Sequence, residues 1–371
     1  MIRLTVPEIG DEDVQAVVDT LRSGYLVQGP RVAEFEARLA AYTGARHAVA
    51  VTNCTAALHL ALSALGVERG DQVVTSTYSW PATANVIALI GAEPVFVDID
   101  PRTFNMVPNS AARALAASPR AKALLPVHAF GQLADMPALV EIAAAAGVPV
   151  LEDAACALGA TIDGVQAGRF GDAGCFSFHP RKAVTTGEGG AVVTESDAIA
   201  RRIRTLRNHG QDPLALSADF VEPGHNVRLT EMQGALGVTQ LAKFDRILAA
   251  RRAGAAHYDR LFAGTAVLPP AAPQPDAHTY QSYVVLLPRE VAPHRAALIA
   301  GLREAGIEST IGTYHMPLIR YFRDQGYREG DFPVTDDIAA CALTLPLHAR
   351  LSLEEHETVV AAVLHQVERL G

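Results

Sequence analysis

Between residues 46 and 195, short apolar runs alternate with longer Ala/Leu-rich stretches. The apolar runs have the length of strands, and the pattern predicts strands at 48–53, 72–77, 94–98, 123–127, 148–152, 174–178 and 190–194. Helices are predicted between the first five strands, at 56–65, 82–90, 110–117 and 136–146. Continuous apolar strands that alternate with helices indicate an α/β fold with a mostly parallel central sheet, covered on both faces.

The pattern changes after residue 230. A long amphipathic helix is predicted around 230–262, and it begins with the capping-box sequence Thr230-Glu-Met-Gln233. Pro and Ala then crowd residues 268–275, which indicates the start of a smaller domain with a strand at 283–287, a helix near 294–305 and a terminal helix from about 353. We therefore expect a large domain at 1–250 and a smaller C-terminal α+β domain at 251–371.

Composition restricts the class of protein. The chain has 371 residues, of which 49% are hydrophobic and 19% charged, as in ordinary globular proteins. A net charge of −9 argues against nucleic acid or anionic membrane as partners, and no apolar run is long enough to predict a membrane span. The four cysteines form no C-x-x-C pair, which argues against a zinc site and favours a reducing compartment. Because the N-terminus also lacks the apolar core of a signal peptide, we expect a cytoplasmic protein.

One lysine is the strongest candidate for chemistry. The chain contains only three lysines, and Lys182 follows a predicted strand that ends near Ser177, just before the turn Gly187-Glu-Gly-Gly190. Ligands of parallel sheets bind at the carboxyl ends of the strands. An uncharged amine in a desolvated site attacks carbonyl groups and forms a Schiff base, as in enzymes that use pyridoxal phosphate (PLP). A solvated surface lysine is the alternative, but this chain uses arginine for nearly all its basic positions.

Other candidates lie at the same ends of strands. The helix after the first strand could hold a phosphate through Thr55 and the amide of Ala56, although a simple helix cap is the alternative. Trp80, the only tryptophan, stands at a strand-to-helix turn, where it could stack on a heteroaromatic ring or equally pack in the core. Glu152 and Asp153 end a strand, and only one can face a site, because successive side chains point to opposite faces. Asp153 is the better candidate for holding a pyridinium nitrogen protonated, whereas Glu152 suits a salt bridge.

Taken together, these segments resemble the DegT/DnrJ/EryC1/StrS family of PLP-dependent sugar aminotransferases, which have aspartate aminotransferase fold type I. The resemblance extends over most of the chain, and its most specific part is the lysine segment. It rests on Ser23-Gly-Tyr-Leu-Val-Gln-Gly-Pro30, Asp98-Ile-Asp-Pro-Arg-Thr-Phe-Asn105, Phe176-Ser-Phe-His-Pro-Arg-Lys182, Thr185-Thr-Gly-Glu-Gly-Gly190, Arg207-Asn-His-Gly210, Gly224-His-Asn-Val-Arg-Leu-Thr-Glu-Met-Gln233 and Gly306-Ile-Glu-Ser-Thr-Ile-Gly-Thr-Tyr314.

The resemblance implies a three-layer fold and a role for each candidate. Lys182 would form the Schiff base with PLP and move the proton between the substrate carbon and the cofactor. Asp153 would pair with the pyridine nitrogen, and Trp80 would stack on the ring. The phosphate would be held by Thr55, the amide of Ala56 and Ser177. Asn226 would reach the cofactor phosphate of a neighbouring subunit, which predicts a homodimer with shared active sites. For the substrate, we expect contributions from Tyr25, His179, Arg228, Tyr314 and His315.

Two positions depart from the family pattern. Cys54 stands where the family commonly has Gly before the phosphate-binding Thr, and Cys156 stands where it commonly has Gln near the phenolic oxygen of the cofactor. A thiol is a weak hydrogen-bond donor, so Cys156 would tune the ring differently. Neither change removes a group that transamination needs.

The resemblance thus implies an aminotransferase that takes an amino group from glutamate or glutamine, passes through pyridoxamine phosphate, and delivers the group to a keto sugar. A nucleotide-linked 4-keto-6-deoxy or 3-keto hexose is the favoured acceptor. A keto-cyclitol aminotransferase of aminoglycoside biosynthesis and a non-catalytic PLP-binding regulatory protein stay open as alternatives. A sugar 3-dehydratase of the same fold is disfavoured, because such enzymes replace the lysine that Lys182 represents here.

Overall fold

The structure is a computed structural model of residues 1–371, and it describes all of them apart from the side chain at position 275. The helices are α1 (Asp11–Ser23), α2 (Pro30–Thr43), α3 (Cys54–Ala64), α4 (Ala82–Ile90), α5 (Pro108–Ala117), α6 (Met136–Ala146), α7 (Asp197–Arg207), α8 (Glu231–Ala242), α9 (Phe244–Phe262), α10 (Arg295–Glu304), α11 (Arg320–Arg323), α12 (Pro333–Cys341) and α13 (Leu353–Leu370). The strands are β1 (His47–Val51), β2 (Gln72–Ser76), β3 (Tyr78–Ser79), β4 (Glu93–Val97), β5 (Ala121–Leu125), β6 (Leu151–Asp153), β7 (Thr161–Ile162), β8 (Val165–Gln166), β9 (Ala173–Ser177), β10 (Gly190–Thr194), β11 (Tyr283–Leu286), β12 (Thr310–Ile311), β13 (Tyr314–His315) and β14 (Ala342–Leu345).

The central sheet confirms the predicted architecture. Its strands lie in the order β4-β2-β5-β6-β9-β10-β1, with β5 and β6 joined by parallel bridges at Leu124–Val150 and Val127–Asp153. Of these strands only β10 runs in the opposite direction to the others, so the sheet is mostly parallel. Helices cover both faces, because Ala48 and Ala50 of β1 pack on the side of α2 and α8, whereas Val49 and Val51 pack on the side of α3 and α7. The result is a three-layer structure.

One predicted helix is in fact two. The stretch 230–262 divides at Lys243, whose backbone (φ −108°, ψ 5°) leaves the helical region between α8 and α9. The ammonium of Lys243 donates to Glu12 Oε1 at 2.7 Å and also to the buried Asp13, so α1 binds the chain at the point where it bends. The amphipathic pattern predicted the helical residues but not the break. The capping box at Thr230 and Gln233 is confirmed.

A second core lies in the C-terminal part. Apolar side chains of α9, α10, α13, β11 and β14 form it, and they include Tyr258, Phe262, Tyr283, Leu298 and Val363. The first residues of the chain join this region, since the amide of Ile2 donates to the carbonyl of Gly306 at 2.7 Å. The division at residue 250 falls within α9, whose N-terminal half packs in the first core and whose C-terminal half packs in the second. The domain boundary stays a prediction. Within the described residues, no helix is both long and apolar enough to cross a membrane.

Candidate active site

The candidate residues meet at one edge of the central sheet. Asp153 is the last residue of β6 and Ser177 is the last residue of β9, so both lie at the edge where the parallel strands end. The chain then turns, and the amide of Lys182 donates to the carbonyl of His179 at 2.8 Å. Because β10 runs in the opposite direction, its first residue, Gly190, lies at the same edge. Strand direction therefore brings the carboxylate, the hydroxyl and the amine together.

Asp153 has a buried carboxylate whose orientation is fixed by a neighbouring helix. Oδ2 accepts a hydrogen bond from Thr83 Oγ1 of α4 at 2.7 Å, and Thr83 Oγ1 lies 2.8 Å from Ser79 Oγ. Oδ1 accepts more weakly from the amide of Ala155 at 3.3 Å. The local sequence predicted no role for Thr83. Its place in the first turn of the helix after Trp80 was the available signal, since side chains in the first turn of such a helix face the strand ends.

The neighbouring carboxylate, Glu152, has a structural role. It is fully buried, and its two oxygens accept hydrogen bonds from three backbone amides between Gly168 and Gly171 at 2.7–2.8 Å. His128 Nε2 lies 2.9 Å from Glu152, and it is the protonated nitrogen because Nδ1 accepts from the amide of Ala134. Strand alternation thus sends the two adjacent carboxylates to opposite environments, as predicted.

The amine of Lys182 contacts a thiol. Nζ lies 3.0 Å from Cys156 Sγ, and Cys156 follows Asp153 by three residues on the same turn. Burial disfavours the ammonium, but Cys156, Cys54 and Asp153 outweigh burial, so the pKa of Lys182 is raised. The surroundings of Lys182 therefore favour its ammonium form, which must lose its proton before the amine can act as a nucleophile.

A second group of residues forms a cradle next to Lys182. Ser177 pairs with Gly190 in the β9–β10 ladder. A Cβ at Gly190 would lie only 2.4 Å from the carbonyl carbon of Asn53 and 2.5 Å from the amide nitrogen of Cys54. Because Gly190 has no side chain, the start of α3 can approach the ladder this closely, and Ser177 lies beside that helix N-terminus.

In the first turn of α3, one backbone amide donates to the helix cap, and two others face open space. Asn53 is the N-cap residue, and its side chain accepts from the amide of Ala56 at 2.8 Å. The capping alternative is therefore realised through Asn53. The amides of Cys54 and Thr55 remain at the open end of the helix, where the helix dipole favours an anion. The exposed Thr55 adds a hydroxyl at the same place.

Two aromatic rings form the mouth of the site. Strand β3 pairs with β13 in a register that sets Ser79 opposite Tyr314. The ring of Tyr314 lies 5.4 Å from that of Trp80 in an edge-to-face arrangement, and Trp80 is 59% exposed. Trp80 is therefore not a core residue. His315, the next residue, points inward, with Nε2 at 3.0 Å from Asp336 Oδ1, and burial lowers its pKa against the opposing effect of Asp336.

The remaining substrate candidates contact other groups in the structure. His179 lies 3.9 Å from Glu188 Oε1, and burial lowers its pKa. Arg228 bonds the side chain of Asn208, and Asn226 is exposed in the same segment. Tyr25 is exposed and lines a separate cleft of about 310 Å³, together with Asp19, Thr20, Ser23, Pro30, Arg31, Glu34 and Glu231.

Glu231, in the segment 224–233, has a structural role that the sequence did not predict. Its carboxylate is buried and accepts from the amides of Gly29, Arg31 and Val32 at 2.8–2.9 Å, all at the N-terminus of α2. A side chain in the first turn of α8 thus also caps α2. These bonds fix the segment that carries Tyr25.

The arrangement fits PLP on structural grounds. A lysine amine, a buried carboxylate, a glycine-lined cradle with hydroxyls and an open helix N-terminus all face one edge of the sheet. These groups are those needed to bind an aldehyde, a protonated pyridine nitrogen and a phosphate.

Comparison with known proteins decides the family. Residues 7–364 match the model of the DegT/DnrJ/EryC1/StrS aminotransferase family. The chain belongs to this family. It is 38% identical to the pleiotropic regulatory protein of Geobacillus stearothermophilus, over 96% of this chain and 94% of the relative. It is 35% identical to the GDP-perosamine synthase of Caulobacter vibrioides, over 98% of this chain and 97% of the relative.

A solved structure agrees closely with the fold. The PMP form of Spr1654 from Streptococcus pneumoniae superposes with a TM-score of 0.93 and 29% identity, covering 99% of this chain and 98% of that one. The same protein has also been solved in its PLP form. Membership of the DegT/DnrJ/EryC1/StrS family therefore confirms the predicted fold type I, the cofactor PLP and the activity of a sugar aminotransferase. When bound, PLP supplies the electron sink for transamination.

Proposed function

We propose that this aminotransferase takes an amino group from glutamate or glutamine and delivers it to a nucleotide-linked keto hexose. The observation that carries this proposal is the contact of Lys182 with Cys156 beside Asp153, together with the exposed ring pair of Trp80 and Tyr314. Exposed aromatic rings suit the apolar faces of a sugar or a nucleobase. The likeness to GDP-perosamine synthase, whose name contains a nucleotide sugar, supports the same acceptor class.

In this proposal, each residue has a defined role at the cofactor. Lys182 would hold the cofactor through its aldehyde, and its Nζ would hold and move a proton. Asp153 would accept a hydrogen bond from the pyridine nitrogen and stabilise its positive charge, while Trp80 would cover the ring. Ser177, Thr55 and the first amides of α3 bind the phosphate.

A homodimer with shared sites belongs to the proposal. Asn226 is exposed and makes no side-chain hydrogen bond within the described residues, so it is free to reach a neighbouring cofactor. Exposed apolar side chains support a contact surface between subunits, and they include Tyr25, Leu26, Val27, Leu216 and Phe220. Sedimentation of the PLP-loaded protein tests this point, and a monomer at catalytic concentrations would contradict it.

The main experiment follows the two half-reactions separately. PLP-loaded protein is mixed with L-glutamate or L-glutamine, and its visible absorption band is recorded. The donor-treated protein then receives a panel of nucleotide-linked 4-keto-6-deoxy hexoses, 3-keto hexoses and keto-cyclitols, and amino products are identified by mass spectrometry. We expect the band to bleach with a donor and to return with a nucleotide keto hexose.

The control is Lys182→Ala, which removes the amine but leaves the buried neighbours in place. Its turnover should fall by several orders of magnitude, while its unfolding temperature should stay close to that of the wild type. Full turnover in this variant would contradict the assignment of Lys182. Return of the band only with keto-cyclitols would move the acceptor to that class. A band that persists with both donors would favour a regulatory binder.

A further inference from the structure

A segment from the second core crosses the active-site edge and binds the backbone next to Lys182. We call residues 278–282 the crossing segment. Gln281 Oε1 accepts from the amide of Ala183 at 3.1 Å, and Gln281 Nε2 donates to the carbonyl of Arg181 at 2.5 Å. These two groups belong to the peptide bonds on either side of Lys182. One side chain therefore holds both peptide groups of the lysine.

The crossing segment also holds the residue that the lysine contacts. Thr279 Oγ1 donates to the carbonyl of Cys156 at 2.8 Å. Its backbone amide donates to the carbonyl of Gly131 at 3.0 Å, and a Cβ at Gly131 would lie 2.0 Å from Thr279 Oγ1. The amine of Lys182 and the thiol of Cys156 are thus held, at 3.0 Å from each other, by two residues of the same short segment.

The crossing segment is itself fixed by two adjacent arginines of α9. Arg251 is buried and donates to the carbonyls of Tyr280 at 3.2 Å and Leu347 at 2.8 Å. Arg252 donates to the carbonyl of His278 at 3.1 Å. Burial lowers the pKa of Arg251 to about 10, so it remains a cation at neutral pH and attracts these carbonyl oxygens strongly.

The backbone of the crossing segment departs from common geometry. Tyr280 has a φ of +50°, in the left-handed region that residues other than glycine seldom adopt. Its amide donates to His278 Nδ1 at 3.0 Å, and its ring stacks on His278 at 4.0 Å. Such conformations persist where the surroundings over-determine them, and they concentrate at functional sites. Here the turn at Tyr280 directs the next side chain, Gln281, toward the lysine loop.

We propose that Gln281 is a positioning residue for Lys182, and that the crossing segment fixes the amine at the active-site edge from the second core. This inference rests on the proposed role of Lys182. It goes beyond that role because it assigns the position of the amine to a side chain that binds only the backbone on either side of the lysine.

The chain offers a direct readout, because it contains only Lys122, Lys182 and Lys243. Cofactor-free protein is treated with a trace of acetic anhydride, and the labelling of each lysine is measured by peptide mass spectrometry across pH. We expect Gln281→Ala to raise the labelling of Lys182 about tenfold relative to Lys122, because two hydrogen bonds that hold its peptide groups are lost. Lys243, which is ion-paired to Glu12, should not change and reports an intact fold.

Two further variants make the test specific. Gln281→Glu keeps the acceptor for the Ala183 amide but sets an oxygen against the Arg181 carbonyl, so it should give an intermediate rise. Gln325→Ala removes an exposed glutamine far along the sequence and should leave all three lysines unchanged. Wild-type labelling of Lys182 in both Gln281 variants would overturn the inference. A failure of the proposed function is seen separately, as a PLP-loaded wild-type protein whose absorption band is identical to that of Lys182→Ala.

Discussion

The carboxyl edge of the central sheet and the crossing segment both reach Lys182, but they do so with different groups. At the sheet edge, side chains that end strands approach the site, and Asp153 and Ser177 each come from a strand of the large sheet. In the crossing segment, Thr279 and Gln281 bind carbonyls and amides of the site residues instead. In our proposals, the first region provides reactive groups, and the second restricts where those groups can move.

This difference has a consequence for mutation. A residue at the sheet edge that contacts the cofactor should affect the rate when its chemistry changes, even if its shape is kept. A residue of the crossing segment should instead affect the position or the titration of other groups, although it takes no part in their chemistry. Substitutions that keep shape but change charge, or remove one hydrogen bond, can separate the two behaviours.

The largest effect is expected at Asp153. Asp153→Asn keeps the size of the side chain but removes the negative charge, so we expect kcat to fall on the order of 10²-fold or more, with some PLP still bound. Steady-state kinetics with the best acceptor measures this loss.

Glu152→Gln is the matched control, because it makes the same change one residue earlier on β6. In this variant, the side-chain NH₂ group would face backbone amides that donate to a carboxylate in the wild type. We expect a loss of roughly 1–3 kcal/mol in the free energy of unfolding, with kcat of the folded fraction close to wild type. Equal rate losses in both variants would remove the distinction between the two carboxylates.

An intermediate effect is expected at Thr83, which acts on Asp153 through one hydrogen bond. Thr83→Val keeps the volume but leaves Asp153 Oδ2 without its 2.7 Å donor. A bond to a charged group contributes about 1.5–3 kcal/mol, so kcat should fall roughly tenfold or more. Thr83→Ser restores the hydroxyl and should recover most of the rate. A Thr83→Ser variant as slow as Thr83→Val would mean that the methyl group, and not the hydrogen bond, matters.

The sequence predicted the sheet edge much better than the crossing segment, and the reason is physical. Strand ends are marked by apolar runs, and Lys182 and Asp153 are distinctive residue types at those ends. Gln281, by contrast, is an ordinary polar residue that precedes a strand. Its partners are backbone groups about 100 residues away, which leave no trace in local periodicity.

The break at Lys243 was missed for the same reason. The hydrophobic period continues through it, and the groups that bind its ammonium, Glu12 and Asp13, come from the other end of the chain. The cap that Glu231 provides for α2 is equally a long-range contact. Local pattern therefore predicts elements and strand-end chemistry, whereas positions that bind distant backbone need the folded structure.

The last prediction concerns pH and tests the crossing segment alone. Burial lowers the pKa of His278 to about 3, well below its usual 6.5. The unfolded chain therefore binds a proton that the folded chain excludes, so the stability contributed by neutral His278 is full above pH 6.5 and is lost as pH falls toward 3. His278→Asn can keep an acceptor for the Tyr280 amide without a group that titrates in this range.

We expect the unfolding free energy of His278→Asn to fall less steeply than that of wild type between about pH 6.5 and 4, by up to about 1.4 kcal/mol per pH unit for one proton. Denaturant unfolding at several pH values measures the two slopes, and the exposed His365→Asn serves as the control. Parallel slopes for wild type and His278→Asn would show that His278 takes up its proton in the folded state. The crossing segment would then be looser than its contacts with Arg251 and Arg252 indicate, and the contrast with the rigid sheet edge would weaken.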